Sequence, residues 1–194
     1  MSEHTALWET SSILAERLRE SFLADPQLAV QFIGGHVVSL KTPREMRAAP
    51  ESGLSVWLYK VDRDEFTSNR PSERLSSGRL RLPPITVDLH YLLTPLSSDV
   101  QTEQLILGRV LQTLHDSSTA LPTVTRPDVT DTLRVTLENL DLESISRVWN
   151  ALQEPYQLSL SYRVQVVSIR SNRDQSGSPV LERTTDYVQI VGVP

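Results

Sequence analysis

The chain has 194 residues, of which 39% are hydrophobic and 22% are charged, and its formal net charge is −5. This length suits one ordinary domain with a real core and is short for two. General nucleic-acid binding is disfavoured because neutralising phosphates needs a basic surface, and this chain is acidic. Cysteine is absent, which excludes disulfides, thiolate metal sites and cysteine nucleophiles. No targeting segment or membrane span is recognisable, so we expect assembly in the cytoplasm without direct membrane insertion.

An amphipathic helix is predicted over residues 5–23, because apolar residues recur there at helical spacing. The stripe consists of Leu7, Leu14, Ala15, Leu18 and Phe22. Asp25 precedes Pro26, and proline disfavours helical geometry in the residue before it, so the helix should end there. Residues 27–33 then have the composition of a short strand.

Two long loops are predicted at residues 41–53 and 66–84, which are rich in proline, glycine and serine and show no periodicity. Both exceed the usual connection of about 4–6 residues, and loops of that length in a compact domain are more often functional. Residues 54–61, between them, have the aromatic and β-branched content of a strand.

The middle of the chain alternates between strand and helix patterns: strand 85–94, helix 99–115, strand 132–140, helix 142–152 and strand 158–169. The strands alternate apolar with polar residues, which favours an antiparallel or mixed sheet with one covered face. We therefore predict a single α+β domain over residues 1–194, with a twisted sheet and about three helices packed mainly on one of its faces.

The stretch from Val180 to Val193 has strand-like chemistry, with Tyr187, Val188 and Ile190 near its centre. Two interpretations remain open. A hairpin with strand 158–169 is favoured because sequential strands usually pair. Alternatively, the segment is an arm that adds a strand to a neighbouring sheath or cap subunit.

Candidates for chemistry are few. Asp88 and His90 lie two apart on a predicted strand and share a face, and His115 could join them. A third fixed metal ligand is missing and no G-x-S-x-G elbow occurs, so we expect Asp88 and His90 to hydrogen-bond each other or a neighbouring strand. Carboxylates such as Asp62 and Glu138 are interpreted as solvated charges. We predict no catalytic, cofactor or metal site, and a small hydrolase or metal-dependent enzyme using Asp88, His90 and His115 is the alternative.

The predicted loop at 66–84 carries a basic island: Arg70, Arg74, Arg79 and Arg81 stand against Glu73 alone. Arginine offers planar, multidentate hydrogen bonding that suits docking on an acidic protein surface. A solvated loop without a partner is an equally good interpretation of the composition.

The apolar stripe of the helix 142–152 also allows two interpretations. Leu142, Ile145, Trp149 and Leu152 could form a partner-binding surface. A core-facing helix is favoured, because the stripe lies between two strands that need covering.

Several strings, in order along residues 5 to 192, resemble the tail-terminator, or cap, proteins of extracellular contractile injection systems of the antifeeding-prophage and virulence-cassette type. They include Leu58-Tyr59-Lys60-Val61, Leu82-Pro83-Pro84-Ile85, Asp88-Leu89-His90-Tyr91-Leu92-Leu93-Thr94, Arg134-Val135-Thr136-Leu137-Glu138 and Pro155-Tyr156-Gln157-Leu158-Ser159-Leu160-Ser161-Tyr162-Arg163-Val164. Each string alone is weak evidence, and the ordered set is specific.

The resemblance implies a tail-terminator-like fold and a ring, usually of six subunits, that caps the inner tube and contacts the sheath. The implied partners are the tube protein, the sheath protein and a length-determining ruler protein, and no cofactor or enzymatic activity is implied. The interface candidates are Arg70, Arg74, Arg79, Arg81, Val180, Tyr187, Val188 and Ile190. Another phage-like neck or baseplate adaptor is the alternative within this class, and the final particle could be cytoplasmic, membrane-associated or released.

Overall fold

A computed structural model describes residues 3–64, 73–74, 79–81, 85–116, 121–122, 132–169 and 174–176. After a 3₁₀ turn at Glu3–Thr5, its helices are α1 (Ala6–Ala24), α2 (Ala29–Ile33), α3 (Pro43–Ala48), α4 (Val100–Asp116) and α5 (Leu142–Leu152). Its strands are β1 (Val37–Ser39), β2 (Gly53–Arg63), β3 (Glu73–Arg74), β4 (Arg79–Arg81), β5 (Ile85–Leu96), β6 (Leu121–Pro122), β7 (Thr132–Glu138), β8 (Leu160–Ile169) and β9 (Asp174–Ser176). The three long helices and four long strands lie within a few residues of the predicted boundaries. None of the helices in these ranges is long and apolar enough to cross a membrane.

The strand predicted at residues 27–33 is wrong, because residues 29–33 form the helix α2. The Asp25 carboxylate accepts hydrogen bonds from the backbone N–H groups of Gln27 and Leu28, at 2.8 and 3.3 Å. The chain therefore starts a new helical turn directly after Pro26. Phe32 then packs against Phe22 of α1, with ring centroids 4.6 Å apart, so tertiary packing overrides the strand-like composition.

The loop predicted at residues 41–53 also contains a helix, α3. Thr42 and Glu45 form a capping box, in which the Thr42 hydroxyl accepts from the Glu45 N–H and the Glu45 carboxylate accepts from the Thr42 N–H. Pro43 occupies the first turn, where its missing N–H costs nothing. The Thr42-x-x-Glu45 capping box is present in the sequence, but the prolines of this segment led to the prediction of a loop.

The main sheet has the strand order β1-β2-β5-β8-β7-β6. The β1–β2 pair is parallel and the remaining pairs are antiparallel, which confirms the predicted mixed sheet. Gly53 has φ of +130°, and this conformation brings its backbone against Val37 at the start of the parallel pair. A second, three-stranded sheet has the order β3-β4-β9.

Helices cover both faces of the main sheet. The two long helices α1 and α4 share one face, where the main core lies; its members include Leu14, Leu18, Phe22, Leu89, Tyr91, Leu93, Ile106, Val110 and Tyr162. On the other face, Ile145, Trp149 and Leu152 of α5 pack with Leu92. The core-facing interpretation of α5 is thus confirmed for these three side chains, whereas Leu142 is 68% exposed. The described part holds five α-helices rather than about three.

Candidate assembly surfaces and the His90 cluster

The structure places part of the basic island in the second sheet. Arg74 lies on β3, and Arg79 and Arg81 lie on β4. Arg70 and the C-terminal candidates Val180, Tyr187, Val188 and Ile190 lie outside the described residues. The predicted loop 66–84 therefore contains two short strands rather than irregular backbone throughout.

The strand β9 lies beside two arginines of the basic island. It pairs with β4 in antiparallel register, with Ser176 opposite Arg79 and Asp174 opposite Arg81. No strand was predicted here, since Asp174-Gln175-Ser176 has no apolar residue to signal one. This pairing places the basic island next to the backbone that leads into residues 180–193.

Asp88, His90 and His115, the candidates of the alternative enzyme, do not form a site. His90 lies on β5 and its ring packs edge-on to Tyr59, on the face that α5 covers. His115 lies in the last turn of α4 and lines a groove with Leu114 and Tyr162, on the opposite face. No group of three or more histidine, aspartate or glutamate side chains in the described ranges is arranged to hold a metal ion.

His90 instead binds carboxylates on two other strands. Its Nδ1 lies 2.9 and 3.0 Å from Glu138 Oε1 and Oε2 on β7. Its Nε2 lies 3.1 Å from Asp62 Oδ2 on β2, close enough for an ion pair but off the line of a hydrogen bond. The expected hydrogen bond to Asp88 or to a neighbouring strand is replaced by one to β7, on the far side of β8. Asp88 Oδ2 lies 3.9 Å from Nη1 of Arg163.

Glu138 collects further hydrogen bonds. The Ser161 hydroxyl donates to Glu138 Oε2 at 2.8 Å, and the Tyr59 hydroxyl lies 3.5 Å from the same oxygen and 3.0 Å from Ser161 Oγ. The side chain of Glu138 is only 15% exposed. Its interpretation as a solvated charge was therefore wrong. The local sequence could not show this, because its partners His90 and Ser161 are 48 and 23 positions away.

A neighbouring lysine stabilises the ionised form of Asp62. Lys60 Nζ lies 2.6 Å from Asp62 Oδ2, and this hydrogen bond is the main reason why the pKa of Asp62 is lowered, with a smaller contribution from His90. The pKa of Tyr59 is raised, mainly by burial and to a smaller extent by the negative charge of Glu138. The arrangement is a polar network that connects β2, β5, β8 and β7. Ser161, its one aliphatic hydroxyl, is 3% exposed and thus out of reach of a substrate.

The sequence profile of the Pvc16 N-terminal domain family matches residues 9–183 of the chain. Among solved structures, the chain is similar to the anti-feeding prophage cap, described as the AFP tube terminating cap, with a TM-score of 0.56 and 21% identity over 79% of this chain and 55% of that one. It is also similar to the PVC sheath/tube terminator of an extracellular contractile injection system in the extended state, with a TM-score of 0.49 and 20% identity over 73% of this chain and 52% of that one. The chain therefore spans about half the length of these two proteins. No curated protein matches it.

At these identities the structural likeness to the anti-feeding prophage cap establishes a shared fold, and the family match covers most of the chain. Together they confirm the resemblance to tail terminators that the ordered strings indicated. The chain belongs to the Pvc16 N-terminal domain family.

Proposed function

We propose that this protein is a structural cap of a contractile injection system, which binds the distal end of the inner tube and sheath and terminates their polymerisation. The observation that carries the proposal is the family match over residues 9–183, on a fold shared with a tube-terminating cap. A cap of this kind assembles in the cytoplasm as a homo-oligomeric ring, in our proposal of six subunits, and contacts the tube, the sheath and the ruler protein that sets their length.

The physical logic of termination favours such a ring. A tube is an open stacking assembly whose free end presents an unsatisfied interface, and a ring that binds this end without offering it again stops growth. A protein with this role needs interfaces rather than an active site. The separation of His90 from His115 on opposite sheet faces agrees with a structural rather than an enzymatic role.

Deletion of the protein from cells that produce the complete injection system tests the proposal. We expect sheath and tube of uncontrolled length, or unstable particles, in negative-stain images, and restoration of uniform particles by the wild-type chain. Particles of normal length and yield in its absence would contradict the assignment. Immunogold labelling of wild-type particles should place the protein at one end only.

The arginines of β3 and β4 are our candidate contact with an acidic tube or sheath surface, because the basic island contrasts with an acidic chain. Charge reversal at Arg74, Arg79 and Arg81 to glutamate should lower the yield of capped particles. A matched control reverses Arg17, Arg19 and Arg147, which are at least half exposed on α1 and α5. Equal yields from the two triple variants would contradict this contact.

A further inference from the structure

The central part of strand β8 has no free edge. Residues 161–164 pair with β5 on one side and with β7 on the other, so that Tyr162 is opposite both Tyr91 and Leu137. A hairpin between residues 180–193 and β8, which the sequence favoured, therefore has an open edge only along residues 166–169, beyond the pairing with β7. Most of the strand-like C-terminal segment would need another edge.

Two longer strand edges remain without a partner in the described part of the chain. One is the outer edge of β2 beyond its pairing with β1, from Val56 to Arg63. The other is the outer edge of β7 beyond its pairing with β6, from Arg134 to Glu138.

The β2 edge carries features that protect edges from strand addition. Its pairing with β5 shifts register between Leu58 and Lys60, so Tyr59 occupies a bulge. Lys60 and Asp62 follow the bulge and form an ion pair. Bulges and charged side chains, lysine above all, discourage a further strand from pairing.

The β7 edge has no bulge and no lysine from Arg134 to Glu138, and its two charged residues stand at its ends. Its register with β8 is unbroken from Arg134 to Glu138, and Leu137 is 48% exposed. A groove of about 610 Å³ adjoins it, with an apolar floor formed by Leu111 and Leu114 of α4 together with Val135, Leu137 and Tyr162. An open edge beside an apolar groove suits strand addition, since the edge supplies main-chain hydrogen bonds and the groove accepts alternate side chains.

Residues 180–193 match this surface in chemistry. Val188 and Ile190 lie two apart, so a strand would direct both to one face. The route of the chain favours a second copy as the acceptor. The second sheet joins the main sheet at the end where Arg81 pairs with Asp174, because residues 82–84 lead from Arg81 to β5 and residues 170–173 lead from β8 to Asp174. The chain leaves β9 at the opposite end, at Ser176, and thus heads away from the main sheet of its own copy.

We propose that residues 180–193 of one copy add as a strand to the outer edge of β7, Arg134 to Glu138, of a neighbouring copy, with Val188 and Ile190 facing the groove. The inference rests on the proposed ring, because it supplies a contact between adjacent subunits. Each subunit both donates and accepts a strand, which gives a head-to-tail contact that closes when the ring is complete.

Cysteine cross-linking tests this directly, since the wild-type chain has no cysteine. Two single variants, Thr136→Cys on the exposed part of β7 and Gln189→Cys, are co-produced with the other particle components. Isolated particles are then treated with a short bis-maleimide reagent. We expect a dimer that contains one chain of each variant and is absent when either variant is present alone. The control pair replaces Thr136→Cys with Gln101→Cys, at an exposed position on the first turn of α4, and should give no dimer.

Other outcomes would overturn the proposal. Equal dimer yield from the control pair would show non-specific contact. Cross-linking within single chains of the double variant T136C/Q189C, without dimers in the mixture, would show that the segment pairs with its own β7. Protection of Thr136→Cys from maleimide in the isolated protein would show that the chain itself covers this edge. Immunoblotting of the particles separates the two proposals, because a missing protein contradicts the cap role, whereas a protein present without cross-links contradicts only the strand exchange.

Discussion

His90 Nδ1 lies 2.9 Å from Glu138 Oε1, although β8 runs between the strands that carry the two residues. The contact spans β8 through Ser161, whose hydroxyl donates to the other oxygen of the same carboxylate. One glutamate at the end of β7 thus fixes the relative positions of three strands.

Glu138→Ala should lower the free energy of unfolding by about 1–3 kcal/mol, because it leaves buried donors on His90 and Ser161 without their acceptor. Urea denaturation of the purified protein measures the change. The control is Glu143→Ala on α5, whose ion pair with Arg147 is about three-quarters exposed on both sides, and we expect a change within about 0.5 kcal/mol. Similar losses in both variants would show that the network adds no stability.

Gly53→Ala should destabilise the β1–β2 pair. A Cβ at Gly53 would lie 2.1 Å from the Val37 carbonyl oxygen, and the φ of +130° is unfavourable for any other residue. We expect a loss of about 1–3 kcal/mol in thermal or urea unfolding. Gly108 in α4 is the matched control, since nothing lies within 4 Å of its added Cβ. Gly108→Ala should leave stability unchanged or raise it by about 0.5–1 kcal/mol, and a reversed order of the two variants would contradict the structure.

Trp149→Ala should cost about 3–5 kcal/mol, because it removes a large side chain that is 1% exposed and packs with Leu92. Its indole N–H also donates to Ser159 Oγ at 3.3 Å. Leu142→Ala, at the exposed end of the same helix, should change stability by less than about 0.5 kcal/mol. If the apolar stripe of α5 bound a partner instead of the core, the isolated protein would tolerate both substitutions. Equal melting temperatures of the two variants would therefore contradict the placement of Trp149 in the core.

Alkaline pH should destabilise the protein through two tyrosines. Burial raises the pKa of Tyr91 to about 12 and that of Tyr162 to about 12, from an ordinary value of 10.0. The folded protein therefore retains protons that the unfolded chain releases, so the contribution of these two tyrosines to stability is constant below pH 10 and falls as the pH rises towards 12. Each tyrosine contributes a slope of at most about 1.4 kcal/mol per pH unit.

Tyr162→Phe should halve the part of this slope that the two tyrosines cause, as measured by urea midpoints between pH 8 and pH 11. Tyr156→Phe serves as the control because Tyr156 is 49% exposed. An unchanged slope in Tyr162→Phe would contradict its assignment. Tyr91 is less suitable for substitution, since its hydroxyl forms a 2.8 Å hydrogen bond with Ser11.

The sequence by itself determined the long elements. Periodicity of 3.6 residues identified α1, α4 and α5, and alternation identified β5 and β8, because these patterns are local and span enough residues to be unambiguous. The family resemblance also came from the sequence alone, through the ordered strings such as residues 88–94 and 155–164. Short elements were harder to predict: α2 has five residues, too few to show a period, and the Asp25 hydrogen bonds and the Phe22–Phe32 contact explain it.

Only the tertiary structure decided how distant residues meet. It showed that His90 contacts Glu138 and Asp62 rather than Asp88, and that His115 lies on the opposite face of the main sheet. It paired β9 with β4. It also enclosed the central part of β8 between β5 and β7 and left the outer edge of β7 from Arg134 to Glu138 without a partner among the described residues. Strand order depends on contacts between segments tens of residues apart, and no local pattern encodes which edge of a strand its neighbours will leave open.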